Sequence, residues 1–69
     1  MRIEFPFDKD TEDYMLVFYE SLNEKNRRHY VAMEAKKLGH GGIKYLSELF
    51  EISERTIRRG LEELDKKKL

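Results

Sequence analysis

Sixty-nine residues with no cysteine make one small domain around a single core, and exclude disulfides, thiol chemistry and cysteine-ligated zinc. No apolar run approaches the roughly 20 residues of a membrane span, and no signal-peptide pattern opens the chain, so a cytoplasmic protein is expected. The 14 basic and 14 acidic residues cancel, yet residues 1–24 hold two basic against seven acidic side chains and residues 25–69 hold twelve against seven. A neutral chain segregated in this way can present a basic face, although 41% charge also fits the solvated exterior of any small helical protein.

Residues 1–9 alternate apolar with polar through Ile3, Phe5 and Phe7. Pro6 removes a backbone donor, which argues against a central strand. The segment reads as an extended arm whose aromatics dock on the helices, or as a mobile terminus. Asp10 or Thr11 is the expected cap of a first helix, with Glu12 and Asp13 placed to favour its dipole. Running to about Leu22, it carries an apolar stripe of Tyr14, Val17, Phe18 and Leu22, while Met15, Leu16 and Tyr19 fall on other faces. A helix apolar on several sides must be covered, either by the arm and the core or by a subunit or neighbouring domain. Residues 10–22 are therefore a candidate contact surface.

Asn23 is placed to cap a second helix from Glu24 to Leu38, and Gly39 stands where a left-handed C-terminal residue belongs. Tyr30, Val31, Ala35 and Leu38 supply its inner face, with Met33 nearby, and Arg27, Arg28, Lys36 and Lys37 lie outward. The loop Gly39-His40-Gly41-Gly42 has no strand before it and no Lys-Ser/Thr after it, so it reads as a helix–helix connection and not as a nucleotide loop.

The stretch from Gly42 to Leu64 organises the rest. Ile43, Leu46, Leu49 and Phe50 recur at helical spacing, then Glu51, Ile52 and Ser53 interrupt. Ser53 is a good N-cap for a further helix with Ile57, Leu61 and Leu64 on one face. Arg55, Thr56, Arg58 and Arg59 remain outward near its start. Two short helices about a tight turn, the second opening on basic and hydroxyl residues, is helix-turn-helix layout and implies double-stranded DNA as partner. Asp65 to Leu69 continues the last helix or frays. The expectation is an all-α fold, a small bundle of about four helices whose last three form the helix-turn-helix core. The arm is residues 1–9, the helical domain residues 10–69, and the helix-turn-helix residues 43–65.

The segment Asn23 to Leu64, 42 of the 69 residues, resembles the N-terminal region of a group of bacterial insertion-sequence transposases of the DDE type. The resemblance rests on N-E-K-x-R-R at Asn23 to Arg28, E-A-x-x-L-G-x-G-G-I at Glu34 to Ile43, and S-x-x-T-I-R-R-G-L at Ser53 to Leu61. It implies a module that binds the terminal repeats of a transposable element, in a bacterial cytoplasm and on the nucleoid when bound. Strand cutting and joining would fall to a large downstream domain with acidic metal ligands, which 69 residues cannot hold, so this chain is expected to bind and not to catalyse. Its charged end suggests a piece of something longer. One departure concerns the turn, where Glu51 occupies a position that many such units give to glycine. Either a positive φ is kept there at a cost of roughly 1 kcal/mol, or the turn is built differently.

Arg55, Thr56, Arg58 and Arg59 are the groove candidates, since an arginine reads guanine O6 and N7 bidentately. Ser53 is placed to meet a phosphate beside free backbone N–H groups. Lys44 and Tyr45 are candidates for the DNA backbone, and Arg27 and Arg28 extend the basic face. The competing reading of the arginines is helix-surface ion pairing, Arg58 with Glu62 and Arg59 with Glu63. His29 and His40 have no ligand cluster at metal spacing and read as ordinary surface or packing residues. Glu62 and Glu63 are adjacent and point to different faces, which rules them out as an acid–base pair. Ser47 suits the small-residue position where the motif helices cross, and Tyr14, Phe18 and Tyr30 read as core. No cofactor is implied. The alternatives to a transposase module are a stand-alone transcriptional regulator, which needs a dimer surface around Met15, Leu16 and Tyr19, and a protein-interaction module without DNA.

Overall fold

A computed structural model describes residues 5–67. Four helices follow in order: α1 (Lys9–Glu20), α2 (Glu24–Leu38), α3 (Gly42–Phe50) and α4 (Glu54–Lys67), with no strand among the described residues. The fold is all-α, as the periodicities imply.

Each boundary has a local cause. Asp8, and not Asp10 or Thr11, caps α1: its Oδ1 accepts the Thr11 N–H at 2.8 Å. Hydrogen bonding to Thr11, through its side chain first and then its backbone, also holds the Asp8 carboxyl below its usual pKa. The helix ends at Glu20, earlier than expected, because the Ser21 and Leu22 N–H groups tighten onto the carbonyls of Phe18 and Tyr19. Asn23 caps α2 as expected, accepting the Asn26 N–H at 2.8 Å. Gly39 leaves it with φ 74°, and Gly41 takes φ 83° before α3. The turn from α3 to α4 places Glu51 at φ 55°, ψ 47°, the left-handed conformation anticipated there. The Ser47 carbonyl accepts both the Glu51 and the Ile52 N–H groups, which closes the end of α3. Ser53 then opens α4, its Oγ accepting the Thr56 N–H at 3.1 Å.

The core comprises Met15, Val31, Ala35, Leu38, Leu46, Phe50 and Ile57, with Val31, Leu46 and Ile57 fully enclosed. Helix α2 is the central element, packed against α4, α3 and α1. Its closest approach is to α4 at the buried Gly60, where a methyl group would lie 2.7 Å from the Arg28 carbonyl oxygen and 3.0 Å from the Ala32 Cβ. Ala32 and Gly60 thus supply the small-residue crossing. Ser47, expected at the different crossing of α3 and α4, is half-buried and its Oγ donates to the Lys44 carbonyl within its own helix.

Helix α1 is rotated from the expected phase. Met15 is buried, and Leu16 and Tyr19 pack on the core, while Tyr14, Val17 and Phe18 are 72%, 71% and 51% exposed. Tyr19 lies against Phe50 with ring centroids 4.6 Å apart, and the Arg27 guanidinium lies over the Tyr19 ring at 5.1 Å. That aromatic contact and the fit of Met15 select the face, and Tyr14 and Phe18 are not core residues. Met33, placed near the inner face of α2, is 48% exposed. Ahead of α1, Phe5 and Phe7 pack on Tyr45, with centroids at 5.2 and 6.1 Å. The Phe7 N–H donates to the Tyr45 hydroxyl at 3.0 Å, and that hydroxyl donates to Glu12. Ile3 lies outside the described residues.

Candidate nucleic-acid interface

The first two turns of α4 present the basic surface. Ile57 and Gly60 face inward and are buried, which turns Arg55, Arg58 and Arg59 outward by helical geometry. Arg55 has no hydrogen-bond or ion-pair partner among the described residues. Arg58 Nη2 donates to Glu54 at 3.2 Å, not to Glu62, in the orientation that places the acid four residues toward the N-terminus and suits the helix dipole. Arg59 Nε donates to Glu63 at 3.2 Å, one of the two pairings the spacing allowed. Both arginines are well exposed, so these surface pairs are weak competitors for a phosphate or a base. Ser53 and Thr56 share a hydrogen bond of 2.9 Å between their hydroxyls at the helix start.

The α2 arginines are held differently. Arg27 closes the end of α1, donating from Nε to the Tyr19 carbonyl and from Nη2 to the Glu20 carbonyl, each at 3.0 Å. Arg28 grips Glu63 with Nε at 2.9 Å and Nη2 at 3.2 Å. His29 also meets Glu63 at 2.9 Å and is mostly enclosed, so it takes part in the contact between α2 and α4. Glu63 consequently collects Arg28, His29 and Arg59. The hydrogen bonds from Arg28 first, then those from His29 and Arg59, hold its carboxyl down at about 2.

Arg27, Arg28, Ser53, Thr56 and Arg59 line one cleft between the start of α2 and the start of α4, floored by Tyr19 and Ile52 and rimmed by Glu24. A shallower depression beside it runs along Arg55, Arg58, Arg59 and Glu62 on the outer face of α4. Lys44 is exposed on α3 and without a partner among the described residues. Tyr45 is half-buried beneath the arm, its hydroxyl engaged by Phe7 and Glu12; burial first, and then the Glu12 hydrogen bond, push its pKa up. The sequence-derived candidates therefore divide into an outer set on α4, an inner set in the cleft, and Lys44 and Tyr45 to the side on α3.

The family model of the DeoR-like helix-turn-helix domain matches residues 27–69, more than half of the chain. The chain belongs to this family. No curated protein and no solved structure matches it significantly. Membership supports DNA binding through a helix-turn-helix and gives no support to the transposase family in particular. The matched residues take in most of α2 and all of α3 and α4, the last two joined by the tight turn at Glu51. Among the described residues no His, Cys, Asp or Glu cluster is placed to hold a metal ion, and no helix is long and apolar enough to cross a membrane.

Two structural contributors escaped the sequence reading. Gly60, inside a helix where glycine costs about 1 kcal/mol relative to alanine, was itself the signal for a close approach. The convergence of Arg28 and His29 on Glu63 spans 35 and 34 residues and leaves no local trace.

Proposed function

We propose that this domain recognises a specific duplex sequence by laying the N-terminal half of α4 in the major groove, with Arg55 and Arg58 at base edges. The observation that carries this reading is the unpartnered, exposed Arg55 on the outward face of a helix whose opposite face is locked to α2 by Ile57 and Gly60. Lys44 is assigned to the DNA backbone. Selection of binding sites from a random duplex pool, followed by titration of Arg55→Ala, tests it. The variant should lose about 1–3 kcal/mol of discrimination at one base pair. Absence of binding to any duplex at low salt would overturn the reading and favour a protein-interaction module.

At the finer level we propose that the bound sequence is the terminal repeat of a transposable element. The support is the pair of strings E-A-K-K-L-G-H-G-G-I and S-E-R-T-I-R-R-G-L at their separation in the chain. A transcriptional regulator is the second reading, compatible with the DeoR-like family. The dimer surface expected around Met15, Leu16 and Tyr19 is turned into the core, and the exposed Tyr14, Val17 and Phe18 face of the same helix is the surface left to support this reading. The architecture of the selected sites separates the two: a single asymmetric site fits an element end, whereas two half-sites one helical turn apart fit a symmetric dimer.

A further inference from the structure

The cleft between α2 and α4 holds three guanidinium groups in an arrangement unlike that of Arg55 and Arg58. Each is anchored along one edge. Arg27 is bound by the Tyr19 and Glu20 carbonyls through Nε and Nη2, and its Nη1 has no acceptor among the described residues. Arg28 is bound by Glu63 through the same two atoms, and Arg59 through Nε alone. The Ser53 and Thr56 hydroxyls line the same cleft, joined by their mutual hydrogen bond. We propose that this cleft seats one backbone phosphodiester of the bound DNA strand, clamped by Arg27, Arg28 and Arg59 and capped by the Ser53 and Thr56 hydroxyls.

Three features fit this ligand better than a base. A guanidinium whose Nε–Nη2 edge is occupied cannot also offer that edge to guanine, while its remaining N–H groups suit an isolated phosphate oxygen. Arg28 has a side chain only 18% exposed and tied across to α4, so it does not extend toward a groove floor. Arg27 and Arg28 are also held in place before binding, which lowers the ordering cost of the contact. Glu24 is the acidic residue in the lining, the Glu20 carboxylate lies 3.6 Å from Arg27 Nη2, and Glu63 holds Arg28 and Arg59. The cleft thereby acts as a positioning contact, setting how α4 lies in the groove, while Arg55 and Arg58 read sequence.

The proposal rests on the DNA-binding reading, and the experiment separates the two. A duplex obtained by selection is resynthesised with an uncharged methylphosphonate at each backbone position in turn, and affinity is measured for the parent chain, Arg27→Gln and Glu24→Gln. One position should weaken the parent most and Arg27→Gln distinctly less, because the variant has lost one of the groups that hold that phosphate. Arg27→Gln should also fall less steeply with salt, by about one unit of slope, or roughly threefold less loss over a fourfold rise in salt. Glu24→Gln, which removes an exposed charge with no hydrogen-bond partner, should bind roughly 1.5- to 5-fold more tightly whatever the sequence. Should Arg27→Gln fold poorly by circular dichroism, Glu24→Gln carries the test alone. Equal sensitivity of parent and Arg27→Gln at every position, or unchanged affinity of Glu24→Gln, would overturn the clamp and leave groove binding intact. No binding by the parent chain would remove both.

Discussion

Replacing Gly60 by alanine sets two magnitudes against each other. On helix propensity alone the change should stabilise α4 by about 1 kcal/mol. The added methyl, however, would stand 2.7 Å from the Arg28 carbonyl oxygen and 3.0 Å from both the Ala32 Cβ and the Arg28 Cγ. The nearest of these atoms is backbone in the body of α2, so no side chain can swing away and the two helices must part by several tenths of an ångström. Overpacking of this kind costs about 1–3 kcal/mol, and a backbone clash belongs at the upper end. The net expectation is a loss of about 1–2 kcal/mol, which for a domain of this size lowers Tm by roughly 4–16 °C. Thermal and urea unfolding followed by far-ultraviolet circular dichroism would read it directly. A Gly60→Ala chain as stable as the parent would mean that propensity wins, and would refute the close α2–α4 crossing on which the geometry of the cleft depends.

Other consequences follow from single contacts. Glu51→Gly should stabilise by up to about 1 kcal/mol, because the left-handed φ of 55° strains any residue with a Cβ; urea unfolding should move its midpoint upward, and a lower midpoint would deny the turn geometry. Glu63 is held at about 2 in the fold against an ordinary 4.5. Its contribution is therefore complete above about pH 4.5 and is lost as pH falls toward 2, so a Glu63→Gln chain should lose less stability than the parent over that window; parallel acid-unfolding curves would contradict the cluster. Self-association through the exposed α1 face predicts that Phe18→Ser lowers any concentration-dependent sedimentation, and a parent chain that stays monomeric at high concentration counts against the regulator reading.

Helix positions in this chain were legible because caps and stop signals are local. Asn23, Ser53 and Gly39 act on neighbours within a few residues, and the left-handed Glu51 stands where many helix-turn-helix units place glycine. The cap of α1 was misplaced because Asp8 and Asp10 are both chemically suitable, and only the Thr11 N–H decides between them. The phase of α1 was not legible at all. Tyr14 to Tyr19 is six consecutive apolar residues, so every rotation buries something, and periodicity cannot rank the choices. The choice is made by Phe50 and Arg27, which contact the Tyr19 ring from two other helices.

The same distinction runs through the candidate site. Outward placement of Arg55, Arg58 and Arg59 followed from the inward Ile57, and a helix face is a local property. Their chemical availability is not local. Arg58 had acids at equal spacing on either side, Glu54 and Glu62, and pairs with the one nearer the helix N-terminus. Arg59 and Arg28 meet on the same carboxylate only because Gly60 lets α2 approach. An arginine that holds a second helix in place has less freedom to follow a base than one that holds nothing. By that argument Arg55, which looked no different from its neighbours in the sequence, is the side chain on which sequence reading should depend most. Arg28, equally basic, should matter to affinity and hardly at all to which base is chosen.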